Sequence, residues 1–210
     1  MKKMMALLLV LIMVLTMTAC ASDQEKIVGT WETEVEFAEV FNNTLGSHEG
    51  AEYLKVESLK LKMILNFHED DTYTMVTDAA SVDAAMDSLR QTLKTGMEDY
   101  LMDTIAATGL NLELGDILHM LNTDLDALID EVLTPELMEQ MTQIMAAQGQ
   151  YLAEEGKLYL SDSVDKEIDE TVYETYILNE EKQMLMLVTP NTTDAYTDLL
   201  YPLEFTRVSE

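Results

Sequence analysis

From Ile27 the chain alternates apolar and polar residues. Ile27, Gly29, Trp31, Thr33, Val35 and Phe37 fall on one face, and Glu32, Glu34 and Glu36 on the other. A period of two with one greasy face predicts a half-buried strand. The pattern recurs at Leu59, Leu61, Met63, Leu65 and Phe67, alternating with Ser58, Lys60, Lys62 and Asn66, with Ile64 the one exception. His68-Glu69-Asp70-Asp71 then makes a tight turn into a third strand, Thr72 to Thr77. Between the first two strands, Ala38 to Leu45 suits a short helix and Gly46 to Gly50 a loop.

Past Asp78 the period lengthens to about 3.6. Val82, Met86, Leu89, Leu93, Met97, Leu101 and Ile105 share one face, Asp83, Asp87, Arg90, Lys94, Glu98 and Asp99 lie away from it, and Gly109 closes the helix. Asp116 to Leu121 reads as a short helical turn, Thr123 as the cap of a helix over Asp124 to Leu133, and Thr134-Pro135 as the start of another, with proline at its favoured first position. Leu137, Met138, Met141, Ile144 and Met145 form the buried face of that last helix, which is expected to end near Gly149. The two-residue period then returns at Tyr151-Leu152, Lys157 to Ser161, Thr171 to Leu178, Lys182 to Thr189 and Leu199 to Val208.

These segments make eight strands, three before the helices and five after them. Strands joined by short turns on both sides of one long excursion predict an antiparallel up-and-down barrel with a helical insert between the third and fourth strands. An open curved sheet with helices on one face is the alternative. The expected organisation is a barrel built from 26–78 and 149–210, with 79–148 inserted. No internal repeat or low-complexity segment is present.

Before the barrel, Lys2 and Lys3 precede an apolar run from Met4 to Val14, and small residues lead to Cys20, the only cysteine. Basic, greasy and small segments in that order mark a secretory signal over 1–19. The run is too short to span a hydrocarbon core, which takes roughly 20 apolar residues. Leu15-Thr16-Met17-Thr18-Ala19-Cys20 resembles the lipobox of bacterial lipoproteins, with Met17 where leucine is usual. The resemblance implies that Cys20 is lipidated and becomes the mature N-terminus, so that the protein is held on the extracytoplasmic side of the cell membrane by acyl chains. Residues 20–25 would then be the lipidated cysteine and a short polar tether. With its one cysteine so used, the chain has none left for an internal disulfide.

Charge narrows the partners. The chain has 12 basic and 40 acidic side chains, and the leader holds two of the bases and none of the acids, so the mature form carries 10 against 40, a formal −30. Such a surface repels nucleic acid and anionic headgroups. The acids are interspersed with Leu, Met, Val and Tyr, and 48% of all residues are apolar, which favours a folded, acid-coated domain over a disordered acidic chain. Roughly 190 residues after the leader suffice for one good core, or for one core with an elaborate insertion.

Four further segments carry a second resemblance: Gly29-Thr30-Trp31 opening the first strand, Phe67 to Tyr73 of the form F-x-x-D-x-T-Y, Gly156-Lys157-Leu158, and Phe205-Thr206-Arg207 in the last strand. Together they are similar to the lipocalin-like lipoproteins of bacteria. The likeness covers the barrel segments and not the helices, and Asp71 stands where the hairpin often has glycine. It implies that Gly29 and Trp31 form the barrel floor and that Arg207 lies across the indole ring, a cation–π contact worth about 0.5 to 2 kcal/mol.

No catalytic or metal constellation emerges. His48, His68 and His119 lack a His or Cys partner at ligand spacing, and read as surface residues. Glu69-Asp70-Asp71, Asp162 with Asp165, and Glu180-Glu181 lack the register of a calcium loop and read as solvated acidic turns. No G-x-S-x-G elbow, Walker loop, H-E-x-x-H or C-x-x-C occurs. The expectation is a non-enzyme without cofactor or metal. Met86, Met97, Met138, Met141 and Met145 read as core packing of the helices, with an adaptable groove as the sharper alternative.

Two functions fit. One is a module binding a small apolar ligand in a barrel lined by Val35, Leu61, Met63, Tyr73 and Leu160, with the helices as lid. The other is a solid platform whose acidic insert docks a basic envelope protein. Large side chains at nearly all inward positions argue for a filled barrel and so for the second.

Overall fold

The computed structural model describes residues 22–45, 50–109, 113–120, 122–143, 145–189 and 200–209; Cys20, His48, Ile144 and Leu199 lie outside them. Eight strands form a closed barrel in which each pairs antiparallel with its sequence neighbours and the last with the first. They are β1 (Gly29–Glu36), β2 (Lys60–Phe67), β3 (Thr72–Thr77), β4 (Ala147–Glu154), β5 (Lys157–Leu160), β6 (Glu174–Asn179), β7 (Met184–Thr189) and β8 (Leu203–Arg207). The fold is mainly β with a helical insert between β3 and β4. Closure excludes the open curved sheet.

The alternation along each strand becomes the inside and outside of the wall. Trp31 faces Leu65 across the β1–β2 ladder, Val35 faces Leu61, and Phe67 faces Tyr73 on β3. All six side chains are buried, whereas Glu34, Glu36 and Lys60 face solvent. Pairing Glu32 with Ile64 and Glu34 with Lys62 explains Ile64: it is an outward residue, half-covered beside its neighbours.

The chain enters through a helix that the alternation did not announce. Residues Ser22 to Glu25, expected to be tether, open α1 (Asp23–Ile27) with a capping box: Glu25 N donates to Ser22 Oγ at 3.2 Å and Ser22 N donates to the Glu25 carboxylate at 3.0 Å. The S-x-x-E spacing is its sequence signal. Gln24 pins this turn to the barrel, donating to Asp71 Oδ1 (2.8 Å) and the Tyr151 carbonyl (3.1 Å) and accepting from Ala153 N (2.6 Å).

At the other rim, α2 (Ala38–Leu45) follows β1, and the insert comprises α3 (Ala79–Thr108), α4 (Leu114–Met120), α5 (Leu125–Val132) and α6 (Pro135–Gln143). Asp78 caps α3 by accepting from Ser81 N at 2.9 Å, and Gly109 ends it with φ 72°. Asp124, rather than Thr123, caps α5, accepting from Ala127 N at 2.8 Å. α3 buries Val82, Ala85, Met86, Leu89, Leu93 and Gly96, all in its first two-thirds. α6 stops at Gln143, and Gly149 lies inside β4 rather than at a helix end. The reason is packing: a Cβ on Gly149 would stand 2.2 Å from the Ser161 carbonyl oxygen, so the glycine marks a close backbone approach instead of a helix stop. β6 likewise begins at Glu174, three residues later than the alternation suggested.

Candidate functional site

The floor of the barrel is solid. Trp31 is fully buried and its Nε1 donates to the Ile27 carbonyl at 2.8 Å, so that α1 and the indole close the end together. Arg207 stands opposite Trp31 in the β1–β8 ladder, with Cζ 4.5 Å from the ring centroid, and its Nη2 donates to the Lys26 carbonyl. Gly29, at φ 132°, leaves space there: a Cβ would come within 3.8 Å of the guanidinium.

Above the floor the interior divides. On the β1–β2 side it is filled: Met63 is wholly buried, Leu61 is 1% exposed, and Val35 packs against Leu61. On the β3–β6 side a cavity of about 220 Å³ remains, bounded by Leu65, Phe67, Tyr73, Leu160, Leu187 and Leu203, with Met145 and Ala147 at the rim. Of the five residues expected to line a cavity, Tyr73 and Leu160 meet in it. Val35, Leu61 and Met63 do not: Leu61 instead lies under the helices in an apolar groove with Phe37, Leu89 and Met141. The insert covers that end of the barrel, where β1 finishes and β2 begins, and its Leu89 and Met141 wall the groove, of about 390 Å³, together with Leu61.

One polar group interrupts the cavity wall. Glu174, the first residue of β6, pairs with Leu158 on β5 and lines the cavity. The Tyr201 hydroxyl donates to its Oε1 at 3.0 Å, while Oε2 is shielded from water and has no hydrogen-bond partner among the described residues. Burial pushes this carboxyl up to about 7, against the lowering influence of the Tyr201 hydrogen bond. A carboxylate without water or a full set of donors favours its neutral form. Burial also raises Tyr201, and the Glu174 charge adds to it. Tyr73 is pushed up to about 12, mainly by burial and then by Glu174, and donates to the Ser161 carbonyl at 3.0 Å. These phenols hold their protons at neutral pH and act only as hydrogen-bond donors or acceptors.

Glu174 was missed by the sequence reading, although a signal exists. It shares strand phase with Tyr176 and Leu178, so an acid falls on the apolar face of β6.

The wall also has a seam. β1 and β8 pair at Trp31 with Arg207 and at Glu32 with Thr206, then diverge. A surface groove of about 630 Å³ follows, where Glu32, Glu34, Glu36 and Glu204 outnumber Lys62. Leu203 lines both this groove and the interior cavity.

The histidines of the described residues stand apart from the cavity: His68 is exposed in the β2–β3 turn, its carbonyl accepting from Tyr151 Oη at 3.1 Å, and His119 is exposed on α4. Among the described residues no three His, Cys, Asp or Glu side chains converge as a metal site, and no helix is long and apolar enough to cross a membrane. Comparison with protein-family models, curated proteins and solved structures finds no match to this chain.

Proposed function

We propose that this protein is a lipid-anchored, extracytoplasmic module of lipocalin-like type that binds a small, mostly apolar ligand inside its barrel. The cavity beside Tyr73 and Leu160 carries the reading. Its volume of about 220 Å³ exceeds the cavity of about 150 Å³ that accepts benzene and falls short of the roughly 300–1,000 Å³ of drug-sized sites. A compact molecule fits, on the order of ten non-hydrogen atoms.

The anchor rests on the leader and on Cys20. α1 supports its geometry, because Ser22 caps a helix that closes the barrel floor. A lipid on Cys20 would hold the floor toward the bilayer and turn the helix-bearing rim away from it. Acyl chains at about 0.8 kcal/mol per buried methylene, with more than one chain, make such an anchor stable.

Native mass spectrometry of protein purified gently from its own envelope tests the ligand: a reproducible excess mass, lost on organic extraction, is expected, and a consistently empty chain overturns the reading. Cys20→Ala tests the anchor: the protein should leave the membrane fraction, and retention there counts against lipidation.

The second reading, docking of a basic envelope protein, is favoured by the outer third of α3. Beyond Gly96 it buries no residue, and Glu98, Asp99 and Asp103 lie there beside a half-exposed Met102. Capture of a partner whose binding collapses with added salt is the observation that would promote it.

A further inference from the structure

The cavity has a chemical polarity that a purely apolar ligand leaves unused. Eleven of its twelve lining side chains are apolar or phenolic, and the twelfth, Glu174, presents a carboxylate oxygen with no hydrogen-bond partner. Burying an unpaired carboxylate is costly, and folded proteins satisfy such groups with a donor or a counter-charge. Within the described residues the one donor is Tyr201, and it serves the other oxygen. Titratable groups facing Glu174 are the Tyr201 hydroxyl from the approach to β8 and the Tyr73 hydroxyl from β3; neither is a cation.

Two further observations point the same way. The groove at the β1–β8 seam, which shares the buried Leu203 with the cavity wall, is lined by four carboxylates and one ammonium. It lies on a chain of net charge −28, so cations are concentrated along this face of the barrel and anions repelled. Phe67 and Tyr73, whose ring centroids are 6.5 Å apart, offer aromatic faces in the same cavity, and these also attract a cation.

We infer that the barrel cavity binds a compact apolar amine, its hydrocarbon body among Leu65, Phe67 and Leu187 and its ammonium group donating to Glu174. The inference rests on the ligand-binding reading above and specifies the ligand's head group. It separates this cavity from one built for fatty acids or other anions, whose carboxylate would face Glu174.

Three probes of one shape but different heads decide it: toluene, benzylamine and benzoate, titrated against the whole chain as purified from its host cell and stripped by organic extraction. Benzylamine should bind at least tenfold more tightly than benzoate. Glu174→Gln should weaken benzylamine at least tenfold and leave toluene within about twofold. Tyr201→Phe, which keeps the carboxylate and removes its competing donor, should retain benzylamine. Should Glu174→Gln not fold, the wild-type pH profile gives the same answer: benzylamine, protonated throughout, should bind more tightly as pH rises from about 5.5 to 8.5 and Glu174 loses its proton, while toluene stays flat.

Toluene binding with benzylamine no better than benzoate, or with benzylamine indifferent to Glu174→Gln, overturns the amine inference and leaves the ligand-binding reading standing. If neither toluene nor benzylamine binds, both fall.

Discussion

Glu174 is the residue at which stability and binding conflict. Its carboxyl holds a proton in the folded state up to about pH 7, against an ordinary value of 4.5. Between those values the folded protein retains a proton that the unfolded chain has released, so stability is full below about 4.5 and falls as pH rises toward 7, with the loss complete above it. At about 1.4 kcal/mol per pH unit, the loss is roughly 3 kcal/mol once Glu174 is ionised. Glu174→Gln should therefore raise the melting temperature at pH 8 and leave it nearly unchanged at pH 5, as differential scanning at the two pH values would show. A gain over the wild type no larger at pH 8 than at pH 5 would mean that water reaches Oε2. Arg207 has the opposite character. Arg207→Ala removes the contact at 4.5 Å over Trp31 and the donor to the Lys26 carbonyl, and should cost about 2 kcal/mol in urea unfolding. Trp31 is the only tryptophan, so its emission should shift to the red in the folded variant as water enters the floor.

At the scale of elements, a close contact ties the insert to the connection between β1 and β2, and paired charges join two of its own helices. Gly96 of α3 crosses the turn at Ala51–Tyr53 so closely that a Cβ would lie 1.9 Å from the Tyr53 carbonyl oxygen. Backbone cannot yield that distance cheaply, so Gly96→Ala should separate α3 from this turn and cost about 1–3 kcal/mol, despite the higher helix propensity of alanine. Amide exchange should then rise at Tyr53 and Leu54 ahead of the barrel strands. Arg90 and Lys94, one helical turn apart on α3, meet Asp130 and Asp126, one turn apart on α5, at 2.6 and 2.8 Å. All four are partly exposed, and each bridge should contribute no more than about 1 kcal/mol. A Lys94→Ala, Asp126→Ala double-mutant cycle should return a small coupling that shrinks in high salt. The weight of the insert rests instead on Leu89, Leu93 and Ile129, which are nearly or wholly buried.

For the whole molecule, charge sets the response to solution conditions. A formal charge of −28 makes the folded state self-repelling, so moderate salt should raise the melting temperature at pH 7. Mild acid relieves the same repulsion and adds to the gain at Glu174. A limit comes at lower pH. Burial would push the Glu36 carboxyl up, but hydrogen bonds from Ser58, Leu59 and Ala38 outweigh it and hold the group below its usual range. A lowered carboxyl contributes stability present above its unfolded value and lost as pH falls through its folded one, so this tie between α2 and β2 weakens in strong acid. A scan of melting temperature against pH should thus peak in mild acid, and a maximum at pH 8 would contradict this balance.

Periodicity alone determined the strand set and the place of the insert, because a strand's alternation records which side of a wall each residue faces, whatever the wall encloses; the pairing of β1 with β8 decided closure over an open sheet. The long helix was legible for the same reason, in its apolar stripe from Val82 to Leu93 with Asp78 and Gly109 at its ends. The capping box of α1 is written in the S-x-x-E spacing of Ser22 and Glu25, a local signal independent of the alternation. Gly149 carried two meanings, a helix stop or a close strand crossing, and only the approach of Ser161 selects between them. The cavity was beyond any one-dimensional reading. Large inward side chains suggest a filled barrel, yet a cavity remains between Tyr73 and Glu174, and Leu89 and Met141 from the insert leave an apolar groove over Leu61. Residue volume is a property of sequence, but the space that residues leave depends on where distant elements lean. The burial of Glu174 is settled the same way, since strand phase turns it inward and only the packed walls around it remove its water.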